Sequence, residues 1–401
     1  MAPSTASGGG CWRNRGQRRS HRVVSEFVQH IINGLASGTI YALVALGYTM
    51  VYGVLKLINF AHGDVMMVGV YVGYATSKQM ERTTSQSFLG VTLIFLVAMM
   101  ACAALGFLIE RFAYRPLREK PKLTALITAI GVSFFLSYSF QVETVVGGVT
   151  LLPGAAPKAF PETIKPTEWL VISDGTGPSA RFTMTVAPTK CEPCARCAKD
   201  DRCVPLSAAE LTEAPMGPLD RQQCIESLRA PPTSERCHGG ERDIVLWNWQ
   251  IISIMIAAAL MAGLQYLVFK TRFGMAMRAV SFDHRTAGLM GIPVDKVIAF
   301  TFMLGSALAA GAGILYAIKD TLVQPLMGVT LGLKAFVAAV IGGIGHVPGA
   351  VVGALALGLV EEFVVGYGSS TWRDAVAFGF LILVLLVRPE GIFGRVTAEK
   401  V

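Results

Sequence analysis

Six stretches of this 401-residue chain run for 20 residues or more without Asp, Glu, Lys or Arg. They are Ile31–Leu55, Ser87–Ile109, Leu123–Val142, Ile244–Phe269, Val297–Ile318 and Ala335–Val360. At a rise of 1.5 Å per residue, about 20 residues of helix cross the hydrocarbon core of a bilayer. Backbone polar groups in lipid must be satisfied within their own segment, so runs of this kind are helices. Two further apolar stretches, Val65–Ser77 and Ala375–Val387, hold 13 residues each. They span only by drawing in polar neighbours such as Asp64, or Trp372 and Arg373. Charged residues are 15% of the chain, against about 25% in soluble domains. Soluble multidomain, disordered, collagen-like and small disulfide-scaffold architectures are excluded. The expected fold is an all-α polytopic membrane protein with about eight or nine membrane helices, some of them broken or re-entrant.

Residues 153–248 interrupt this pattern with 11 Lys or Arg, 13 Asp or Glu, and six of the eight cysteines. They read as an insertion between a first membrane part at 23–152 and a second at 249–401. Basic residues elsewhere gather in the tail Arg13–Arg22, the loop Arg111–Lys122, the loop Lys270–Lys296 and the end after Arg388. Basic loops stay in the cytoplasm, so these last three are assigned inside and, by parity, the insertion outside. Three apolar elements precede Arg111, which puts the N-terminus outside, yet the tail carries five Arg and no acid before Glu26. Either one front element is re-entrant or the tail is no native topology signal. Parity favours the second, with residues 1–22 a disordered basic tail and the chain proper starting near Val24. The charge thus reports topology, and no basic, aromatic-interleaved patch points to nucleic acid.

In an oxidising external compartment, Cys191, Cys194, Cys197, Cys203, Cys224 and Cys237 favour three disulfides of unassigned pairing over a metal site. The C-x2-C-x2-C-x5-C run approaches a ferredoxin spacing, but its last gap is too long. Ser234 stands where a C-x-x-C-H haem site needs cysteine. No metal and no cofactor are expected.

Polar residues at membrane depth are the functional candidates. Asn59, Phe60, His62, Gly63 and Asp64 lie between two apolar runs, and a second break at Gly342–Gly349 contains Gly343, Gly345 and His346. A shift of 284 residues places His62 on His346 and Val68-Gly69 on Val352-Gly353. Paired broken helices in two halves of a transporter point to a central pathway; tight turns and close helix contacts are the alternative for the glycines. Gly38, Gly47, Gly305, Gly311, Gly313, Gly353 and Gly358 read as packing positions. Within the loop at 271–296, residues Arg278–Leu289 form a short amphipathic helix, closed by Gly291 and Pro293. Such a helix either docks a cytoplasmic partner or rests on lipid headgroups.

Five segments carry a resemblance: IINGLASGTIYALVALGYTMVYGVLKLINFAHGD, ERFAYRPLR, RAVSFDHRTAGLMGIPVDKVIAFTF, KAFVAAVIGGIGHVPGA and LILVLLVRPEGIFG. Together they resemble the permease of branched-chain amino-acid ABC importers, LivH type, over nearly all of residues 24–150 and 250–396. The insertion and the Arg-rich tail depart from that pattern. The resemblance implies the ABC importer permease fold in a bacterial inner (plasma) membrane. It also implies a second homologous permease subunit, two cytoplasmic ATPase subunits and an external solute-binding protein. It makes Arg278, Asp283, Ala287, Gly288 and Gly291 part of an ATPase-coupling loop, and Asn59–Asp64 the family's hallmark break. The sequence contains no G-x-x-x-x-G-K-S/T phosphate loop, so hydrolysis is expected in a partner and not in this chain. Alternatives are a related permease for urea or short amides, and a proton-coupled transporter using Asp64 and His62.

Overall fold

The computed structural model describes residues 15–80, 87–118, 120–146, 149–161, 168–172, 195–197, 203–205, 244–388 and 391–394. The chain divides into two units, Met1–Gln29 with Thr167–Asn248 and His30–Pro166 with Trp249–Val401. The division falls between Pro166 and Thr167, against an expected start of the insertion at 153.

In the first unit, β4 (Glu168–Ile172) pairs antiparallel with β7 (Ile244–Trp247), and β5 (Ala195–Cys197) with β6 (Cys203–Pro205). Cys197 and Cys203 are register partners in the second pair. Cys191, Cys194, Cys224 and Cys237 lie outside the described residues. Helix α1 (Arg15–Leu55) begins in this unit. Arg15–Arg22, the end of the expected tail, is therefore helical, and residues 1–14 lie outside the described residues.

The second unit is helical. It contains the rest of α1, α2 (His62–Gln79), α3 (Phe88–Ile109), α4 (Lys122–Ser139) and α5 (Asn248–Lys270, from Trp249 on). The short α6 (Arg272–Phe282) and α7 (His284–Leu289) follow, then α8 (Val294–Asp320), α9 (Met327–Gly342), α10 (Val347–Tyr367) and α11 (Arg373–Val387). A π turn, Glu110–Tyr114, and a 3-10 turn, Arg115–Leu117, extend α3. Two small antiparallel pairs, β1 (Glu143–Val146) with β2 (Val149–Pro153) and β3 (Lys158–Ala159) with β8 (Leu322–Val323), join the helix ends. Among the described residues six helices are long and apolar enough to cross a membrane, and shorter apolar helices cover Leu123–Ser139 and Met327–Gly342. The run Ile244–Phe269 starts as strand β7 and turns helical at Asn248.

Helices α1 and α8 form the interior, and α3, α5 and α11 the rim. Phe88, Met100, Met255, Ile382 and Leu386 point outward from those three rim helices, as lipid-facing side chains do. The interior helices approach through small residues, which is how membrane helices pack when lipid is as apolar as leucine. A Cβ added to Gly358 of α10 would stand 2.6 Å from the Gly38 backbone of α1, and one on Gly313 of α8 2.7 Å from Val70 of α2. Gly38, Gly313 and Gly358 are thus packing positions, whereas Gly305 sits at ordinary contact distance.

Candidate functional site

Helix α1 ends at Leu55, and Lys56 turns the chain through a left-handed conformation, φ 55°. The chain then runs back along α1. The His62 ring packs against Gly47, where a Cβ would overlap it, and lies edge-on to Tyr48 at 4.6 Å between centroids. Gly47 is eight residues before the end of α1, so α2 starts about 12 Å back from that end. Asn59 fixes the entry: its Oδ1 accepts the Ala61 amide at 3.1 Å and the Tyr114 hydroxyl at 2.8 Å.

Helix α9 begins at the same point. A Cβ on Gly63 would overlap the Gly328 carbonyl, and one on Gly328 would stand 2.9 Å from the Asp64 Cα. Gly63, Gly328 and Gly332 therefore allow the first turns of α2 and α9 to touch. Asp64, 1% exposed, lies in the first turn of α2. Its carboxylate accepts hydrogen bonds from Ser133 and from Ser137 at 2.6 Å, one turn apart on α4. Two converging helix N-termini supply positive potential there, and two hydroxyls satisfy the oxygens. That is how a carboxylate is held inside an apolar bundle with no paired cation among the described residues.

Beside this clamp is an apolar cavity of about 170 Å3, lined by Tyr48, Phe60, Ser133, Phe134, Leu333 and Phe336 among others. The Phe60 and Phe336 rings are 5.9 Å apart. Ser133 belongs to both the cavity wall and the clamp. The serine pair is visible in the sequence only as two hydroxyls four apart in an apolar run, a spacing that puts both on one helix face.

The second break is elsewhere. Gly343 and Gly345 hold φ of 101° and 91°, which side chains with a Cβ rarely adopt. His346 Nδ1 accepts the Gly349 amide at 3.1 Å and so caps α10, and its ring stacks on Phe393 at 6.0 Å. Ile392 and Phe393 donate backbone hydrogen bonds to Ile341 and Gly342. Helix α9, about 20 Å long from Gly328 to Gly342, separates this turn from Asp64. The structure brings Asn59, Phe60, His62, Gly63 and Asp64 together, and sets Gly343, Gly345 and His346 apart from them in a turn against residues 391–394.

The expected helix Arg278–Leu289 is two helices. Asp283 takes an extended conformation, φ −152° and ψ 117°, ending α6 and capping α7. Its carboxylate accepts from Thr286 Oγ1 at 2.5 Å and the Arg285 amide at 2.9 Å. These bonds, that from Thr286 foremost, hold it below the usual carboxylate range. An N-cap aspartate competes with helix continuation in this way, which explains the break. Arg278 lies over the Phe269 ring at 5.5 Å. Ala287 is buried, Gly288 faces Val294, and Gly291, φ 81°, turns the chain into Pro293.

Two helices that begin inside the bundle around a buried, clamped carboxylate, among six helices long and apolar enough to cross a membrane, define the class as a membrane permease. A family model described as branched-chain amino acid transport system / permease component matches residues 30–385, and the chain belongs to that family. It is 36% identical over 376 residues to the high-affinity branched-chain amino acid transport system permease protein LivH of Salmonella typhimurium. That match covers 94% of this chain and 98% of the relative. The LivH of Escherichia coli K12 is similar to the same extent. The corresponding protein BraD of Pseudomonas aeruginosa is 33% identical over 379 residues, 94% of this chain and 99% of its own.

Proposed function

We propose that this chain is the permease subunit of an ATP-driven importer for branched-chain or similar hydrophobic amino acids in a bacterial inner membrane. The observation that carries the reading is the contact of the α2 and α9 first turns beside an aromatic-lined cavity of about 170 Å3. Asn59, Phe60, His62, Gly63 and Asp64 belong to the pathway. The turn at Gly343, Gly345 and His346 closes its cytoplasmic side. The walls of Phe60, Phe134, Leu333 and Phe336 suit an aliphatic side chain, and give urea or a short amide few polar partners. ATP is hydrolysed by two cytoplasmic subunits that grip Arg278, Asp283, Ala287, Gly288 and Gly291. A second homologous permease and an external solute-binding protein complete the assembly. The Cys-rich insertion lies outside, its six cysteines in disulfides; alkylation of those thiols should need prior reduction.

The test is uptake of labelled leucine by vesicles containing the complete transporter. Uptake should require internal ATP, persist when a protonophore collapses the proton gradient, and be competed by valine and isoleucine but not urea. Proton-driven uptake without ATP would sink this reading.

A further inference from the structure

Tyr114, Glu110, Arg118 and Asp295 form one chain of contacts between the α7–α8 turn and the first turn of α2. We propose that this chain of contacts is a mechanical relay, with Tyr114 and Asp295 as its positioning residues, through which movement of the coupling loop reaches Asn59 and thus Asp64. The inference rests on the importer reading for its purpose, but the contacts stand by themselves.

At the cytoplasmic-loop end, the turn from α7 into α8 is closed by backbone hydrogen bonds. Ile292 donates to Ala287 at 3.1 Å, Gly291 to Gly288 at 3.0 Å, and Lys296 and Val297 both donate to Pro293. Displacing Gly288 therefore displaces Asp295. Between this turn and the end of α3 lies a cleft of about 570 Å3 lined by Glu110, Arg115, Gly288, Pro293, Asp295 and Lys296 among others. Asp295 bridges it, accepting from Arg118 at 2.5 Å and pairing with Arg115. The Arg115–Asp295 pair is exposed and screened, so it contributes little by itself. The Arg118–Glu110 pair differs: Glu110 is 1% exposed, and without Arg118 it would be an uncompensated buried charge.

Glu110 and Tyr114 are the two ends of the π turn, a widened turn of a kind often found at functional sites. Tyr114 is 3% exposed; its ring packs on Phe302 at 5.1 Å, and its hydroxyl donates to Asn59 Oδ1 at 2.8 Å. The same Oδ1 caps the Ala61 amide, three residues before Asp64. Every step from Ala287 to Asp64 is thus a bond or a hydrogen bond between named atoms. The Asp295–Arg118 step crosses the open cleft, and beyond it Glu110, Tyr114 and Asn59 are buried, so a displacement is carried on through packed groups.

Two measurements test the relay. The first is independent of transport: amide hydrogen exchange of the segment 56–64 in the purified full-length chain in nanodiscs. Tyr114→Phe removes the hydroxyl and should speed exchange there about tenfold, as expected for one lost buried hydrogen bond. Asp295→Asn, which lies outside that segment, should produce a smaller acceleration in the same peptide. Unchanged exchange in Asp295→Asn overturns the relay. The second is solute moved per ATP hydrolysed by the complete transporter in proteoliposomes. Each single variant should lower this ratio about tenfold with ATP turnover within about twofold of wild type. The double variant should be no worse than the worse single, because members of one chain of contacts are non-additive. Losses that multiply, or uptake and ATP turnover falling in proportion, overturn it. Failure of the wild-type assembly to use ATP at all would sink the importer reading instead, and leaves the exchange result to judge the contacts.

Discussion

Asp64 illustrates how one residue's role is decided by its neighbours. In the sequence it is a lone acid in an apolar context, equally suited to a turn, a proton site or a pathway. Its oxygens are in fact occupied by Ser133 and Ser137, and no cation pairs with it among the described residues. The clamp predicts a graded series. Asp64→Ala leaves two buried hydroxyls without acceptors, at about 1–3 kcal/mol each, and should lower initial uptake at least tenfold at equal membrane expression. Asp64→Glu keeps an acceptor and should retain more activity than Ala, while Asp64→Lys places a cation against two helix N-termini and should retain none. Normal uptake by Asp64→Ala would reduce the residue to a turn-former. His62 and His346, which align by sequence shift, make different contacts: one is an edge-on partner of Tyr48, the other a helix cap.

At the scale of elements, the 271–296 loop and the α2–α9 contact each yield an expectation. Asp283 separates α6 from α7 by capping the latter, and its carboxyl titrates below the ordinary range because the charged form accepts two hydrogen bonds. A depressed value in the folded state means the cap contributes fully above the unfolded value, near 3.9, and is lost only as pH falls through the lower folded one. Uptake should therefore show no titration from Asp283 near neutrality. Asp283→Asn, still an N-cap residue, should transport at close to the wild-type rate, whereas Asp283→Arg should abolish uptake and ATPase stimulation while leaving the chain in the membrane. Wild-type stimulation in Asp283→Arg would refute the assignment of this loop. In the α2–α9 contact, Gly63→Ala forces a methyl into the Gly328 carbonyl. Overpacking of this kind costs about 1–3 kcal/mol, and a thermal-unfolding series on the purified protein should show a lowered midpoint together with slower uptake.

Across the whole molecule, the bundle is fastened by charges that no local pattern reveals. Helix α11 packs lightly, with only Ala377 and Val384 of its side chains buried. Ionic contacts hold it: Lys334 of α9 reaches Asp374 at 2.7 Å and Glu361 of α10 at 3.3 Å, and Arg373 reaches Glu362 at 3.5 Å. Tyr41 of α1 donates to Glu361 at 2.8 Å, and Lys319 of α8 to Ser37 at 2.6 Å. Breaking a buried pair by removing one member costs about 3–5 kcal/mol, whereas replacing both is far milder. Lys334→Met should thus destabilise the protein strongly, and adding Glu361→Gln should recover much of the loss. Midpoints from fluorescence-detected unfolding in detergent check this, and a double variant less stable than the single would contradict it.

The uncharged runs, the two breaks in them, the basic loops and the family motifs are properties of contiguous residues, so the sequence alone determined the helical class, the position of the breaks and the family. It also located the Asn59–Asp64 segment and the Arg278–Gly291 loop. Which helix faces which was decided only by the tertiary structure. In a membrane protein nearly every face of a helix is apolar, because lipid and interior demand the same side chains, and the amphipathic pattern that marks the inner face of a soluble helix is erased. Ser133 meeting Asp64 across 69 positions, Tyr114 meeting Asn59 across 55, and Gly328 meeting Gly63 are therefore invisible to periodicity. So is the 12 Å return of the chain before α2: it follows from six residues that must satisfy their backbone groups beside α1, and only the packed bundle shows where that is possible.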